Sequence, residues 1–153
     1  MTRPLTTTLP ATRLPLRTAA YWAVTTVVVG EAAIGGAMDL LRMAPFYPLL
    51  IDLGYPGYLS TILGTAKVLA AVVIAAPRLP RLKEWAYAGM FFDLTGAAFS
   101  HASSGDPVAK IVTPLVLLAI VAASWALRPS DRKVAGAAVA DAAPVPARVL
   151  RAA

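Results

Sequence analysis

The chain has 153 residues, 58% of them apolar and 14% charged, with a formal net charge of +6 and a mean hydropathy of +0.68. Soluble domains carry about 45–50% apolar and about 25% charged residues, so this composition excludes an ordinary water-soluble globule, and the length suits one domain. With no cysteine, disulfides, thiol chemistry within the chain, Cys-bound zinc and iron–sulfur clusters are excluded.

Residues 1–17 are rich in Thr and Pro and carry Arg3, Arg13 and Arg17 without an acid. This pattern predicts a disordered basic arm. A signal peptide is the competing reading, but the apolar run that follows is too long for a usual signal core.

Four apolar stretches come next, at about 19–41, 57–76, 84–103 and 108–127. Each has about the 20 residues that a helix needs to cross a hydrocarbon layer. Helix is the state that satisfies the backbone in lipid. The expected fold is therefore an all-α integral membrane four-helix bundle over residues 18–127. Pro114, early in the fourth stretch, predicts a kink or a late helix start. Small residues at packing spacing, such as Ala32 with Gly36, Ala33 with Ala37 and Gly89 with Gly96, predict close helix contacts within the bundle. The first connection, 42–56, is apolar with three prolines and is expected at the membrane interface. The second, 77–83, is short and basic, and the third, around 104–107 (Ser-Gly-Asp-Pro), is a tight turn. The tail, 128–153, has too little apolar bulk to fold alone and is expected to be disordered.

Basic residues favour the cytoplasmic side of short loops. The arm, the second connection (Arg78, Arg81, Lys83) and the tail (Arg128, Arg132, Lys133, Arg148, Arg151) share one side of a four-span chain, against Arg42 and Lys110 on the other. Eleven against two predicts both termini in the cytoplasm. Trp22, Trp85 and Trp125 would then line the cytoplasmic interface, and Tyr47, Tyr55 and Tyr58 the outer one. The same placement accounts for the basic charge by topology and leaves no role for nucleic acid.

Three ionisable residues, Glu31, Lys67 and Asp93, fall near the middle of their spans. Such a group costs from about 2.5 to more than 10 kcal/mol there unless it is paired. The three are therefore expected to meet in the interior. Two carboxylates around one lysine can share a proton and serve as a proton site or as the polar floor of a ligand pocket. They can equally be a structural clasp that fixes helix register. Asp39 and His101 each lie eight residues outward of this layer, and with Ser100 they would form a pocket mouth. An ordinary interfacial histidine and a solvent-facing aspartate are the simpler alternative. One histidine excludes bis-histidine haem within one chain. No phosphate loop, metal-spaced cluster or nucleophile elbow occurs, so no residue is assigned as catalytic and no metal is expected.

A set of polar and glycine positions carries a family resemblance. Gly30-Glu31 with Gly35-Gly36, Gly54-Tyr55-Pro56 with Leu59, Ile62-Leu63-Gly64 with Lys67, and Pro77 with Pro80 belong to it. The run Lys83-Glu84-Trp85-Ala86-Tyr87-Ala88-Gly89, then Phe92-Asp93-Leu94-Thr95-Gly96-Ala97 and Ser100-His101, continues it. Over roughly residues 20–127 the chain resembles DoxX-like membrane proteins. The resemblance implies a four-helix membrane bundle. Some relatives belong to membrane oxidoreductase systems, including thiosulfate:quinone oxidoreductase, while others are uncharacterised.

Three functions follow as expectations. The first is an accessory or anchoring subunit of a membrane redox system, in contact with quinone, with no cofactor bound by the chain itself and no catalysis on its own. Its partners would be the bilayer, a membrane or cytoplasmic oxidoreductase and a second copy of the chain, in a bacterial cytoplasmic membrane. The second is a small-molecule or proton carrier built on Glu31, Lys67 and Asp93. The third is a membrane assembly factor without chemistry.

Overall fold

The computed structural model describes residues 16–134; most of the expected basic arm and of the expected disordered tail lies outside them. The described residues form five α-helices and one short 3₁₀ turn: α1 (Leu16–Leu40), α2 (Phe46–Asp52), α3 (Tyr58–Ala75), α4 (Pro80–Ser103), α5 (Val108–Leu127) and Ser130–Arg132.

Among the described residues, α1, α3 and α5 are long and apolar enough to cross a membrane. α4 has 24 residues, which is length enough at 1.5 Å per residue, but its charged residues lower its hydropathy. The chain is a membrane protein with polar groups turned inward and apolar ones outward. Phe92, Phe99 and Trp85 on α4 are 71%, 75% and 78% exposed, and Ile34, Leu69 and Val72 are likewise exposed on α1 and α3. In water such a surface would be a liability; against lipid it is the solvated face.

The long helices pack in the cyclic order α1, α3, α4, α5 and back to α1. The tightest crossing joins α1 to α3. A Cβ on Gly36 would lie 2.9 Å from the Gly64 carbonyl oxygen, and one on Gly64 would lie 2.7 Å from the Gly36 oxygen. Only glycine at both positions lets these backbones touch, the usual means of close approach between membrane helices. The expected pair of Gly89 and Gly96 behaves differently, since a Cβ at either would meet nothing within 4 Å.

The observed helices depart from the sequence reading at several points. α1 starts at Leu16, so Arg17 is helical. α4 starts at Pro80, because proline is preorganised for a first helical position. The first connection folds into α2 over the end of the bundle. α5 runs through Pro114 from Val108. Lys83, read as a loop residue, is buried, and its ammonium donates to the carbonyls of Val73, Ile74 and Ala76 at the end of α3. It supplies the donors that a helix C-terminus lacks.

Residues 128–132, which the sequence assigns to the tail, pack against the same end of the bundle. Arg128 is buried, donates to Glu84 at 2.7 Å and lies over the Tyr87 ring. Arg132 stacks over Trp22 and donates to the Tyr21 hydroxyl and the Ile74 carbonyl. Just inside this end, Thr25, Ser124 and Tyr87 join hydroxyls, with 2.7 Å from Thr25 to Ser124 and 2.8 Å from Tyr87 to Ser124. Deeper still lies an apolar cluster of Val28, Ala32, Ala70, Ala71, Ile74, Met90, Leu94 and Val121.

Candidate functional site

Beyond that cluster, toward α2, the helices part around a cavity of about 410 Å³. Leu59, Leu63, Phe92, Ala97 and Leu117 form its sides, and Phe46, Leu49, Leu50 and Leu53 of α2 and its end roof it. Of its polar lining, Glu31, Lys67 and Asp93 come from the middle of their helices, and Asp39, Tyr55, Ser100, His101 and Lys110 from nearer the helix ends. Ligand pockets of this kind are mainly apolar, with a few placed polar groups.

The three mid-span residues all line this one cavity, but their pairing differs from expectation. Lys67 donates to Asp39 at 3.1 Å and lies 3.6 Å from Asp93. Its ammonium also sits 5.3 Å from the centre of the Phe46 ring. Glu31 shares the cavity but makes no direct ion pair among the described residues. The α1–α3 crossing explains the choice. Gly36 faces the Lys67 stem, where its Cβ would lie 2.9 Å from that of Lys67. From Gly36, Asp39 is three residues away and Glu31 five, or about 4.5 and about 7.5 Å along the helix. Asp39, in the last turn of α1, is thus the carboxylate to which the Lys67 ammonium reaches. Its backbone carbonyl also accepts from Ser60, at 2.5 Å.

The mouth is built by a turn. α4 ends at Ser103, and Gly105 follows at φ +70°. The Asp106 amide returns to the His101 carbonyl at 3.0 Å and the Gly105 amide to that of Ala102 at 3.2 Å. This is a Schellman closure, which needs the left-handed conformation that glycine adopts without strain. It folds Asp106 back onto α4, 2.7 Å from His101 Nδ1. Lys110, from the first turn of α5, donates to the other Asp106 oxygen at 2.8 Å. These bonds from Lys110 and His101 hold the Asp106 carboxyl below the usual aspartate range. On the facing side, Tyr55 and Ser100 share a 2.7 Å hydrogen bond.

Sequence reasoning missed the aromatic roof of α2 and the roles of Asp106 and Tyr55. The turn Ser104-Gly105-Asp106-Pro107 was a usable signal, since a glycine closing a helix carries the residue after it back over the last turn.

No metal-binding group of three or more acidic, His or Cys residues occurs among the described residues. Comparison with known proteins adds one finding. A family model described as the DoxX-like family matches residues 8–124. The chain belongs to the DoxX-like family. Comparison with the curated proteins and with the solved structures finds no match. In this DoxX-like chain every residue that lines the cavity lies within the matched stretch.

Proposed function

We propose that this chain is a four-span accessory or anchoring subunit of a membrane redox system, and that its cavity holds a quinone-type ligand drawn from the bilayer. The cavity itself carries this reading: a mainly apolar space of about 410 Å³ with polar groups at two levels, inside a lipid-facing bundle. Pockets for molecules of that size run from about 300 to 1,000 Å³. A quinone head is a flat ring with oxygens on opposite edges and an apolar tail. Phe46 can face the ring, while Lys67 and the His101 side can meet its edges. Such a ligand would supply reversible two-electron, two-proton chemistry, and this chain would bind and orient it.

In this reading α4 is the third span, with Lys67 paired to its Asp93 inside and its phenylalanines in lipid. Both termini lie in the cytoplasm of a bacterial cell, since the basic residues collect at the end of the bundle opposite α2. An oxidoreductase, and a second copy of the chain, are the partners this role implies.

The carrier reading is less well supported. Along α1, α4 and α5, Val28, Met90 and Val121 of the apolar cluster lie between the cavity lining and the Thr25–Ser124–Tyr87 hydroxyls, so the polar lining stops partway through the bundle.

The test is extraction of the full chain from its native membrane in polymer-bounded lipid discs, with mass spectrometry of what travels with it. Quinone enriched over the bulk membrane, and depleted in Gly96→Leu, supports the reading. Quinone at the bulk ratio in both contradicts it.

A further inference from the structure

α3 and α4 are tied to each other at both ends. At the end nearest α2, Tyr55, just before α3, shares a 2.7 Å hydrogen bond with Ser100 of α4. At the other end the Lys83 ammonium of α4 donates to the last carbonyls of α3. From Lys83 to Ser100 is about 25 Å along the helix.

Between these ties the two helices present flanks that do not close on each other. On α3, Gly64 and Val68 meet Gly36 of α1, so Leu59 and Leu63, on the other side of Lys67, turn to α4. On α4, Asp93 lies 3.6 Å from Lys67. Gly96 and Phe92 follow about 60° and about 100° round the helix from Asp93, in the direction away from the buried Met90 and Leu94. Phe92 lines the cavity and is 71% exposed. Gly96 lines it and is exposed as well, and neither Gly96 nor Gly89, on the same flank, would meet a neighbouring atom within 4 Å of a Cβ. Residues that belong both to the inner wall and to the outer surface form a rim. The adjoining crossings are shut, α1–α3 by the contact of Gly36 with Gly64 and the α2 end of α4–α5 by the bonds of Asp106 to His101 and Lys110.

We infer that the cavity is entered from the side, through a window between α3 and α4 at the level of Phe92, and that the bound ligand leaves its apolar tail in that window, along Gly89 and Gly96. Phe92 adjoins Asp93 near the middle of α4, so the rim stands in the hydrocarbon layer. A molecule that arrives there is dissolved in lipid, and its polar head meets Lys67 and Asp93 as soon as it passes the rim. The two glycines leave room for a chain against the α4 backbone. The inference rests on the quinone reading for the ligand's class and adds its path, its orientation and the residues that hold its tail.

The experiment is photolabelling of the full chain in lipid discs, with a decyl-substituted benzoquinone that carries a diazirine partway along the decyl chain. Labelled peptides are mapped by mass spectrometry with and without excess unlabelled decyl benzoquinone. The competitor removes label from the site and leaves label that the probe deposits from bulk lipid. The label lost on competition is expected on the facing flanks of α3 and α4, around Leu63, Gly89 and Phe92. Lys110 and Thr113 of α5 also line the cavity and are exposed, toward the end of the bundle at α2. Competed label there, or on α1 or α2, places the tail elsewhere, which overturns the window and leaves the quinone reading standing. Label that competition does not reduce at any position overturns both.

Discussion

Lys67 enters the interior at the point where α1 and α3 touch, and the touching glycines decide which carboxylate it reaches. Removing its charge while keeping its length, as in Lys67→Met, leaves Asp39 and Asp93 without their cation. Breaking a buried pair from one side typically costs about 3–5 kcal/mol, and a thermal melt of the purified protein should show that loss. Adding Asp39→Asn and Asp93→Asn removes the stranded charges and should recover much of the stability. If Lys67→Met alone melts like the wild type, the pairing described here is wrong. Gly36 carries a second expectation. Gly36→Leu would drive side-chain atoms into the Gly64 carbonyl and the Lys67 stem, at a cost of about 1–3 kcal/mol or more, readable in the same melt. The depth of Glu31, Lys67 and Asp93 was legible in the sequence, because depth follows from counting residues at a fixed rise. Their pairing was not, because it depends on helix register and on the direction of a flexible stem, both set by a contact between distant residues.

The turn between α4 and α5 joins local chain chemistry to the site. Gly105→Ala places a Cβ at φ +70° and should destabilise the protein by about 1 kcal/mol. It should also loosen Asp106 from His101, which a shift of the His101 ring resonances by NMR would report. Asp106 brings a pH dependence as well. Its carboxyl titrates below the ordinary value of 3.8 in the folded chain, so the folded state binds fewer protons than the unfolded one near that pH. The contribution is therefore present above the ordinary value and lost as pH falls below it. Melts between pH 3 and 6 should show a steeper acid loss in wild type than in Asp106→Asn. The helices themselves were legible from apolar length, and the turn from its Ser-Gly-Asp-Pro composition. The helix α2 was not, since a seven-residue segment flanked by prolines is too short to show a period. Nor was the burial of Lys83, because a basic residue between two spans reads equally as a topology signal and as a cap for the preceding helix.

Across the whole molecule polarity is inverted, with apolar side chains outside and ionisable ones around an internal cavity. The proposed topology sets one expectation. A reporter fused after Ala153 should score cytoplasmic and one inserted at Ser104 external, and an external score for the tail would contradict the four-span arrangement. The cavity sets the other, and Gly96 gives the means to isolate it. Gly96 is an exposed residue of the cavity wall, and nothing lies within 4 Å of where its Cβ would be, so Gly96→Leu adds bulk at the cavity wall with room for its first atom. The most direct measurement is a pair of thermal melts, wild type and Gly96→Leu, across rising concentrations of a decyl-substituted benzoquinone. A ligand that binds only the folded state raises the melting temperature with its concentration. The expected result is a rising midpoint for wild type and a flat one for Gly96→Leu, with the two proteins equally stable when no ligand is added. A midpoint that rises in parallel for both, or for neither, would contradict a ligand site in this cavity.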